Sequence, residues 1–425
     1  MKKLSVVLCG MLVLVMLSAC PVTSSPPSAW ADGDKLTASD GEADDYFGAS
    51  VAVAADGNTI VVGAYRDDIG LNDDQGSAYV FRRNGSAWDE TPLTASNGAA
   101  LDYFGVSVSV AADGNTIVVG ASFADLGPNL EQGAAYIYEW NGGSWDETKF
   151  SASDGAADDN FGASVCITPD ANCIVVGAYG RIVGTHPHQG GVYVYKRNGL
   201  NWDETLLTAS DGETDDYFGS NVCAAADGNT IVVGDKDDDI GGNSYQGSIY
   251  VYTWNGLNWD EEKLTASDGE ANDCFGASVA VSADGSTIAA GAINHDVGGH
   301  SQQGVVYVYR WNGSWVETPL FAADGLDDDY FGRSVSLTAN GHTLAAGADF
   351  DDVGPYGTQG SVSVFSWDGS GWTEKYLVPA DGSMGKRFGV SSSLTPDGSV
   401  LVVGAHWDEI GSNNRQGSAY IFEYR

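Results

Sequence analysis

The chain has 425 residues, far more than the roughly 40 that a domain needs to bury a core of its own. Its 58 acidic and 19 basic residues give a formal net charge of −39, which argues against nucleic acid as a partner because phosphate binding requires a basic surface. A hydrophobic content of 43% and an aromatic content of 11% exclude a disordered acidic chain.

The first residues have the pattern of a secretory signal. Lys2 and Lys3 precede an apolar run over residues 4–17, which is too short to span a membrane. The run ends in Leu-Ser-Ala-Cys, which resembles the lipobox of bacterial lipoproteins. That resemblance implies a signal peptide over residues 1–19, a lipid on Cys20 and a short linker in residues 20–27; the alternative is an ordinary signal peptide cut nearby. We therefore expect an extracytoplasmic bacterial protein that an N-terminal lipid anchors to a membrane.

Two dipeptides then recur through the rest of the chain. Phe-Gly occurs seven times at intervals of 57 or 56 residues, with its Phe at Phe47, Phe104, Phe161, Phe218, Phe275, Phe331 and Phe388. Gln-Gly also occurs seven times, with its Gln at Gln75, Gln132, Gln189, Gln246, Gln303, Gln359 and Gln416. Self-similarity at a fixed period is the mark of a repeat architecture. We expect the glutamines to satisfy backbone groups between neighbouring repeats.

Each repeat contains four strand-like runs, A to D. In the first repeat they cover residues 49–55, 59–64, 77–82 and 87–94. Asp56-Gly57 is interpreted as a two-residue hairpin turn between A and B. Runs B and C are apolar on both faces, so both faces must be covered, and neighbouring repeats can cover them.

Four strands per repeat predict a β-propeller, and the ends of the chain distinguish it from a linear solenoid. A Trp marks run D in six repeats, and Trp30 belongs to the same column. The seventh repeat ends after run C, so the strand around Trp30 is expected to pair near Tyr420 and Phe422. The predicted fold is all-β: a seven-bladed propeller over residues 28–425, with four antiparallel strands per blade, in which the N-terminal strand completes the last blade.

The repeats also carry a family resemblance. The segment FGASVAVAADGNTIVVGA resembles the FG-GAP repeat of integrin alpha-subunit propellers, with Phe47-Gly48 as its FG and Gly63-Ala64 as its GA. The final Pro of the motif is absent, since Tyr65 stands there. Integrin-type blades often carry a calcium loop between strands A and B. Here the expected turn is too short to surround an ion that takes six to eight oxygens, so calcium is not expected at that family position.

The acidic residues are concentrated at one end of the predicted ring. Antiparallel strands alternate in direction, so the D-to-A and B-to-C loops emerge on the same face. These loops contain 36 of the 58 acidic residues and six basic ones, a net charge near −30. One acidic column lies two residues before each Phe and is broken by Lys386; a second begins at Asp68 and is broken by Ile182.

Clustered carboxylates without thiols are typical of hard-cation sites, so Ca²⁺ is the candidate cofactor. The alternative is that these Asp side chains cap their own turns and keep the protein soluble. The candidate metal ligands are Asp44, Asp45, Asp67, Asp68, Asp215, Asp216, Asp237, Asp238, Asp239, Asp327, Asp328, Asp329, Asp351 and Asp352.

Cysteine and histidine give weaker signals. Cys166 and Cys173 could meet diagonally on one hairpin in a strained disulfide, but buried small residues are the simpler interpretation. Five histidines fall in B-to-C loops and are expected to be exposed: His186, His188, His295, His300 and His406.

These patterns favour a binding or adhesion module over an enzyme. The usual hydrolase, metalloprotease, phosphate-loop and dinucleotide motifs are missing from the sequence, and near-identical repeats work against the single asymmetric cluster that catalysis requires. The resemblance to integrin propellers implies a protein or polysaccharide ligand at the cell envelope, and this ligand would bind to the acidic face. Binding would depend on cations if the acidic face holds calcium. Two alternatives stay open: a structural scaffold in an envelope assembly, and an enzyme that acts on a polymer at the centre of the ring.

Overall fold

The computed structural model describes residues 30–425, and every regular element in that range is a β-strand. The signal sequence, Cys20 and the linker lie outside the described residues. No helix able to cross a membrane occurs in the described part of the chain. The strands are β1 (Trp30–Leu36), β2 (Ser50–Val53), β3 (Thr59–Ala64), β4 (Ser77–Asn84), β5 (Ala87–Leu93), β6 (Phe104–Val110), β7 (Thr116–Ala121), β8 (Ala134–Trp140), β9 (Trp145–Phe150), β10 (Phe161–Ile167), β11 (Cys173–Ala178), β12 (Gly191–Asn198), β13 (Asn201–Leu207), β14 (Asn221–Ala224), β15 (Thr230–Asp235), β16 (Ser248–Trp254), β17 (Trp259–Leu264), β18 (Phe275–Val281), β19 (Thr287–Ala292), β20 (Val305–Trp311), β21 (Trp315–Leu320), β22 (Ser334–Leu337), β23 (Thr343–Ala348), β24 (Ser361–Trp367), β25 (Trp372–Leu377), β26 (Phe388–Leu394), β27 (Val400–Ala405) and β28 (Ser418–Tyr424).

The strands form seven antiparallel sheets of four, one for each blade. In blades 1 to 6 the order across the sheet follows the chain, from strand A (such as β2) to strand D (such as β5). Each strand A contacts the strands A of both neighbouring blades, and β26 of blade 7 contacts β2 of blade 1. The ring is therefore closed around the seven first strands, which confirms the predicted propeller.

The N-terminal strand completes blade 7, as predicted. Its sheet has the order β1-β28-β27-β26, and Lys35 pairs with Tyr420 while Leu36 pairs with Ala419. The pairing is irregular between Asp32 and Lys35. This bulge accommodates the one extra residue that separates Trp30 from the first Phe-Gly, compared with the other Trp residues. Strand β28 is thereby covered instead of being left as an open edge.

The core lies between the blades. Each hydrophobic cluster combines the B and C strands of one blade with strands of the next, as where Val61 and Val80 pack with Phe104 and Tyr136. The seven Phe side chains of Phe-Gly are at most 1% exposed. Burying such an aromatic side chain contributes about 2–3 kcal/mol, so the blade interfaces are the main source of stability.

The two recurrent dipeptides meet at these interfaces. The backbone N–H of Phe104 donates to the carbonyl oxygen of Gln75 in the preceding blade at 2.9 Å. Gly76 has a φ of 83° and lies against the carbonyl of Phe104, where a Cβ would clash. Phe-Gly and Gln-Gly are thus the two halves of one blade-to-blade contact, which explains why both recur in register.

The predicted two-residue turn between strands A and B is wrong. Ala54 donates its N–H to the carbonyl of Thr59 at 2.9 Å, so the chain uses residues 55–58 to reverse direction. Asp56 accepts the N–H of Asn58 at 2.9 Å, and Gly57 takes a left-handed φ of 68°. An Asp that binds the backbone two residues on favours this wider reversal. The strand A of blade 1 is accordingly shorter than predicted, at Ser50–Val53.

Candidate ligand-binding face

The D-to-A and B-to-C loops of neighbouring blades are joined by backbone hydrogen bonds. Asp44 donates its N–H to Asn414 at 2.9 Å, Leu101 to Asp73 at 2.8 Å, and Asp158 to Leu130 at 2.9 Å. These loops, residues 37–49 and 65–76 with their equivalents in the other blades, are called the loop face below. All fourteen candidate carboxylates belong to it.

The Asp two residues before Phe is a buried structural group. Asp102 accepts the N–H of Ala99 at 2.8 Å, the pattern is the same in the other five blades with an Asp, and these six residues are 2–4% exposed. Burial raises the pKa of Asp45 and of Asp329 to about 7 and that of Asp216 to about 6. In blade 7 the buried Lys386 takes this place, and its Nζ lies 3.0 Å from Asp381 and 3.1 Å from Asp408.

The second acidic column caps its own loop. Asp68 accepts the N–H of the residue six positions later at 2.8 Å, and Asp125, Asp239, Asp296 and Asp352 repeat the bond at 2.6–2.9 Å. Ile182, which lacks a carboxylate, breaks the pattern in blade 3. The turn-capping interpretation is therefore confirmed for this column.

Most of the remaining candidates have partners within the protein. The pairs are Asp44 with Arg415 at 3.3 Å, Asp67 with Tyr79 at 2.9 Å, Asp215 with His188 at 2.8 Å, Asp237 with Lys236 at 2.5 Å, Asp238 with Lys263 at 2.6 Å, Asp327 with His300 at 3.0 Å and Asp351 with Tyr376 at 2.8 Å. Asp328 lies beside them at a left-handed φ of 63°. Within residues 30–425 no group of three or more His, Cys, Asp or Glu side chains is placed to hold a metal ion. The calcium hypothesis thus gains no geometric support from these residues, and it stays an untested alternative to simple screening by salt.

The recurrent glutamines and the cysteines are structural. Gln75 accepts a hydrogen bond from Asn72 at 2.8 Å, and Gln189 donates to the carbonyl of Ala209, in the loop that leads to the next blade, at 3.2 Å. Gln416 donates in the same way to the carbonyl of Ala38 at 3.3 Å, so the prediction that these side chains satisfy backbone groups between blades is confirmed for Gln189 and Gln416. The four cysteines of the described range are free thiols, so the Cys166–Cys173 bridge is not formed.

The histidines differ from expectation. His186 and His300 are exposed, as predicted, and His188 is half-buried. His295 is buried, however, with its Nδ1 2.8 Å from Asp273, which is the main reason that its pKa is raised. His406 is enclosed in the loop face, and burial together with two nearby arginines lowers its pKa to about 3. The sequence-based expectation of exposed side chains is therefore wrong for these two residues.

A chain of touching aromatic rings lies along the loop face of blades 6, 7, 1 and 2. Ring centroids are 5.0–5.7 Å apart from Trp407 through His406 and Tyr46 to Phe123, and 4.8 Å apart between Tyr330 and Phe350. The guanidinium of Arg387 connects the two runs, because it lies over both Phe350 and Trp407. We call this set the aromatic arc: Tyr330, Phe350, Trp407, His406, Tyr46, Tyr65, Tyr103 and Phe123.

The aromatic arc was missed by sequence reasoning. Its members occupy two sets of positions, the residue before Phe and the first two residues after Gly-Ala. Blades 3 to 5 fill these positions with mixed types, such as Asn160, Cys274 and Lys236, together with one aromatic pair, Tyr179 and Tyr217, whose ring centroids are 5.9 Å apart. The available signal was the excess of aromatic residues at these positions in four consecutive blades. Most of these side chains are half-buried, which leaves part of each ring accessible to a ligand.

The loop face also exposes apolar side chains among its acids. More than half of the large apolar residues exposed in the described chain lie there, although these loops are strongly acidic: Leu71, Leu101, Leu130, Ile182, Tyr245, Phe321, Leu326, Tyr356 and Met384. Apolar groups that remain exposed in this way are typical of interaction surfaces.

The central channel is polar and nearly uncharged. Its cavity of about 230 Å³ is bordered by the strands A, and Ser50 donates its hydroxyl to the carbonyl of Gly105 in the next blade at 2.8 Å. Of the described residues that line it, Arg333 alone carries a charge. The carboxylate pair that a polymer-cleaving enzyme would need is not among these lining residues.

Comparison with known protein families agrees with this geometry. The FG-GAP repeat family matches seven segments that together cover well over half of the chain: residues 30–81, 88–138, 145–195, 202–252, 259–309, 315–365 and 372–422. The chain belongs to the FG-GAP repeat family. Each FG-GAP match begins in an outer strand D and ends in strand C of the next blade, so each repeat spans a blade interface. No curated protein matches the chain.

Proposed function

We propose that this FG-GAP repeat protein is a binding or adhesion module of the bacterial cell envelope, and that it binds its ligand with the loop face. The observation that carries the proposal is the aromatic arc, a continuous row of half-buried rings at one end of the propeller. Aromatic side chains supply large contact areas at low conformational cost, and they are enriched where proteins bind partners. FG-GAP propellers are commonly binding modules, which supports the same conclusion.

The surroundings of the arc indicate which ligands it accepts. The acidic loops around it repel polyanions such as nucleic acids, and the exposed apolar side chains favour contact with a protein surface or with the apolar faces of sugar rings. A protein or polysaccharide ligand without a dense negative charge is the best fit. The proposal does not require a cation, because most of the candidate carboxylates already have partners in the protein.

The experiment compares two double variants of the full-length protein. We expect Tyr65→Ala/Tyr103→Ala to lose retention on isolated cell-envelope material, because it removes two adjoining rings of the arc and separates Phe123 from Tyr46. The matched control is Trp254→Ala/Trp259→Ala, which removes a half-buried aromatic pair, 5.4 Å apart, from the opposite end of blade 4. Equal retention of the arc variant and the wild type would overturn the proposal, provided that circular dichroism shows both to be folded.

We also propose that a lipid on Cys20 anchors the protein outside the cytoplasm. This rests on the resemblance of residues 17–20 to a lipobox, and residues 21–27 would then serve as the tether to the propeller. Cys20→Ser should release the protein from the membrane fraction and abolish its labelling by a fatty-acid analogue. Continued sedimentation of the variant with membranes would show that another anchor holds it.

A further inference from the structure

A pocket of about 320 Å³ lies on the loop face between blades 6 and 7, where the sequence departs from its own repeats. Arg333 occupies a position that the other six blades fill with Ala, Val or Ser. Arg387 occupies one that they fill with Tyr, Asn or Cys. Asp349, His406 and Trp407 complete its polar lining. A symmetric scaffold does not require these substitutions, so they indicate a function specific to this place.

The pocket is positively charged within an acidic face. Arg387 is partly buried, and its Cζ lies 3.1 Å from the ring centroid of Phe350 and 4.2 Å from that of Trp407. Its Nη1 is 3.3 Å from Oδ2 of Asp349, while Arg333 is exposed at the rim. Two guanidinium groups therefore face one carboxylate. The low pKa of His406 has the same origin, since burial and both arginines favour its neutral form.

Four buried polar atoms of the pocket have no hydrogen-bond partner within the described protein. They are Oδ1 of Asp349, Nε of Arg387, Nδ1 of His406 and Nε1 of Trp407. Asp349 is only 2% exposed. Buried polar groups are satisfied in the great majority of cases, and each one left without a partner costs about 1–3 kcal/mol. Four in a single pocket form a set of donors and acceptors suited to a ligand.

We propose that this pocket binds a small hydroxycarboxylate, of the kind found in the uronic acid units of acidic sugars. The carboxylate would accept hydrogen bonds from Nε1 of Trp407 and from the guanidinium groups of Arg387 and Arg333. A neighbouring hydroxyl would donate to Oδ1 of Asp349, because a carboxylate alone cannot supply that atom with a donor. The aromatic lining encloses the apolar body of the ligand. This inference rests on the proposed function, because the pocket is one segment of the aromatic arc that is proposed to bind the ligand. It adds the chemical class of that ligand.

The test is a calorimetric titration of the full-length protein with glucuronate, glucose and acetate. We expect saturable binding of glucuronate, and binding at least about tenfold weaker for glucose, which lacks the charge, and for acetate, which lacks the hydroxyls. Arg387→Gln should weaken glucuronate binding by about tenfold or more. Asp349→Asn should reduce the preference for glucuronate over acetate. The matched control is Arg66→Gln, since Arg66 also lies among aromatic rings of the arc, over Tyr46, Tyr65 and Tyr103, but outside the pocket.

Several results would overturn the inference. Absence of saturable glucuronate binding to the folded wild type is one, and equal affinity for acetate and glucuronate is another. Equal weakening by Arg66→Gln and Arg387→Gln would show non-specific attraction to positive charge. If Arg387→Gln does not fold, the exposed Arg333→Gln decides in its place. The two proposals can fail separately. Failure of the titration with small probes does not change the expected retention on envelope material, and failure of retention does not change the expected binding of glucuronate.

Discussion

At the scale of single residues, most recurrent side chains serve the fold. The buried tyrosine of strand C illustrates this, because Tyr79 donates to Asp40 at 2.9 Å and Tyr250 donates to Asp211 at 2.7 Å, in the SDG segment of each loop. Tyr79 also donates to Asp67 at 2.9 Å. In blade 6 the tyrosine is replaced by Ser363, and Tyr376 of the adjacent strand supplies the hydroxyl to Asp351, which is the counterpart of Asp67. Many of the acidic side chains of the loop face therefore accept hydrogen bonds that hold the propeller together.

The buried aspartates predict a pH dependence of stability. The pKa of Asp45 and of Asp329 is about 7 in the folded protein, against about 3.9 in an unfolded chain. The folded state binds these protons more tightly, so their contribution to stability is fully present below about pH 4 and is lost as the pH rises through about 7. Asp45→Asn/Asp329→Asn should raise the melting temperature at about pH 8 and flatten its decline between about pH 5 and about pH 8.

The control for this experiment must change the net charge equally. Asp68→Asn/Asp352→Asn removes two exposed carboxylates of the same face. Parallel pH profiles for the buried pair and the wild type would refute the assignment, and equal flattening by the exposed pair would show that net charge alone is responsible.

At the scale of strands and turns, contacts between blades determine which residues recur. Strand D of a blade binds the loop that leads into that blade from the preceding one, as where Glu147 of blade 2 accepts from the N–H of Ser96 at 3.0 Å. Phe-Gly and Gln-Gly interlock at the inner part of the same interface. A repeat that spans two blades in sequence thus also joins them in space, which favours a closed ring.

The contact between Phe-Gly and Gln-Gly predicts that replacing two glycines of one loop by Ala costs different amounts of stability. Gly70 and Gly76 both have a left-handed φ, 70° and 83°, but only Gly76 lies against the next blade. Gly70→Ala should cost about 1 kcal/mol for its backbone conformation alone. Gly76→Ala should cost roughly 3 kcal/mol or more, because its Cβ would also clash with the carbonyl of Phe104. Chemical denaturation measures both, and equal losses would refute the steric account of the interface.

Closure of the ring predicts the effect of a truncation. Deleting residues 21–36 removes β1 and exposes the edge of β28. It also uncovers the apolar surface against which Leu36 packs, since this side chain is only 5% exposed in the intact protein. We expect a loss of several kcal/mol and a tendency to associate through the open edge. Deletion of residues 21–27 alone, before β1, is the control and should have little effect. A longer truncation that melts like the parent would contradict closure by β1.

At the scale of the whole molecule, the sequence predicts the scaffold better than the site. The seven blades and the strand exchange could be predicted because Phe47, Gln75 and their equivalents recur wherever blades touch. The aromatic arc and the pocket could not, because Arg333, Arg387 and His406 depart from the residues that stand at the same positions in the other blades. Their proximity exists only after the ring closes, since blade 7 then meets blade 1 at Tyr46 and His406. The proposed ligand site therefore depends on departures from the repeat.

The concentration of acids predicts the response to salt. Since most of the candidate carboxylates have partners in the protein, we expect calcium chloride and sodium chloride at equal ionic strength to raise the melting temperature alike, through screening. A calcium-specific increase would instead support the cation-dependent face suggested by the sequence, because selective binding to the folded state stabilises it. Differential scanning calorimetry at constant ionic strength distinguishes the two outcomes.

The central claim is that the loop face, with its aromatic arc, is where this FG-GAP repeat protein binds its ligand. Hydrogen–deuterium exchange of the full-length protein, with and without envelope material that retains it, tests this most directly. We expect slower exchange in the D-to-A and B-to-C loops of blades 6, 7, 1 and 2, with no change at the C-to-D turns of the opposite end. Protection confined to those turns, or to the outer strands D, would contradict it.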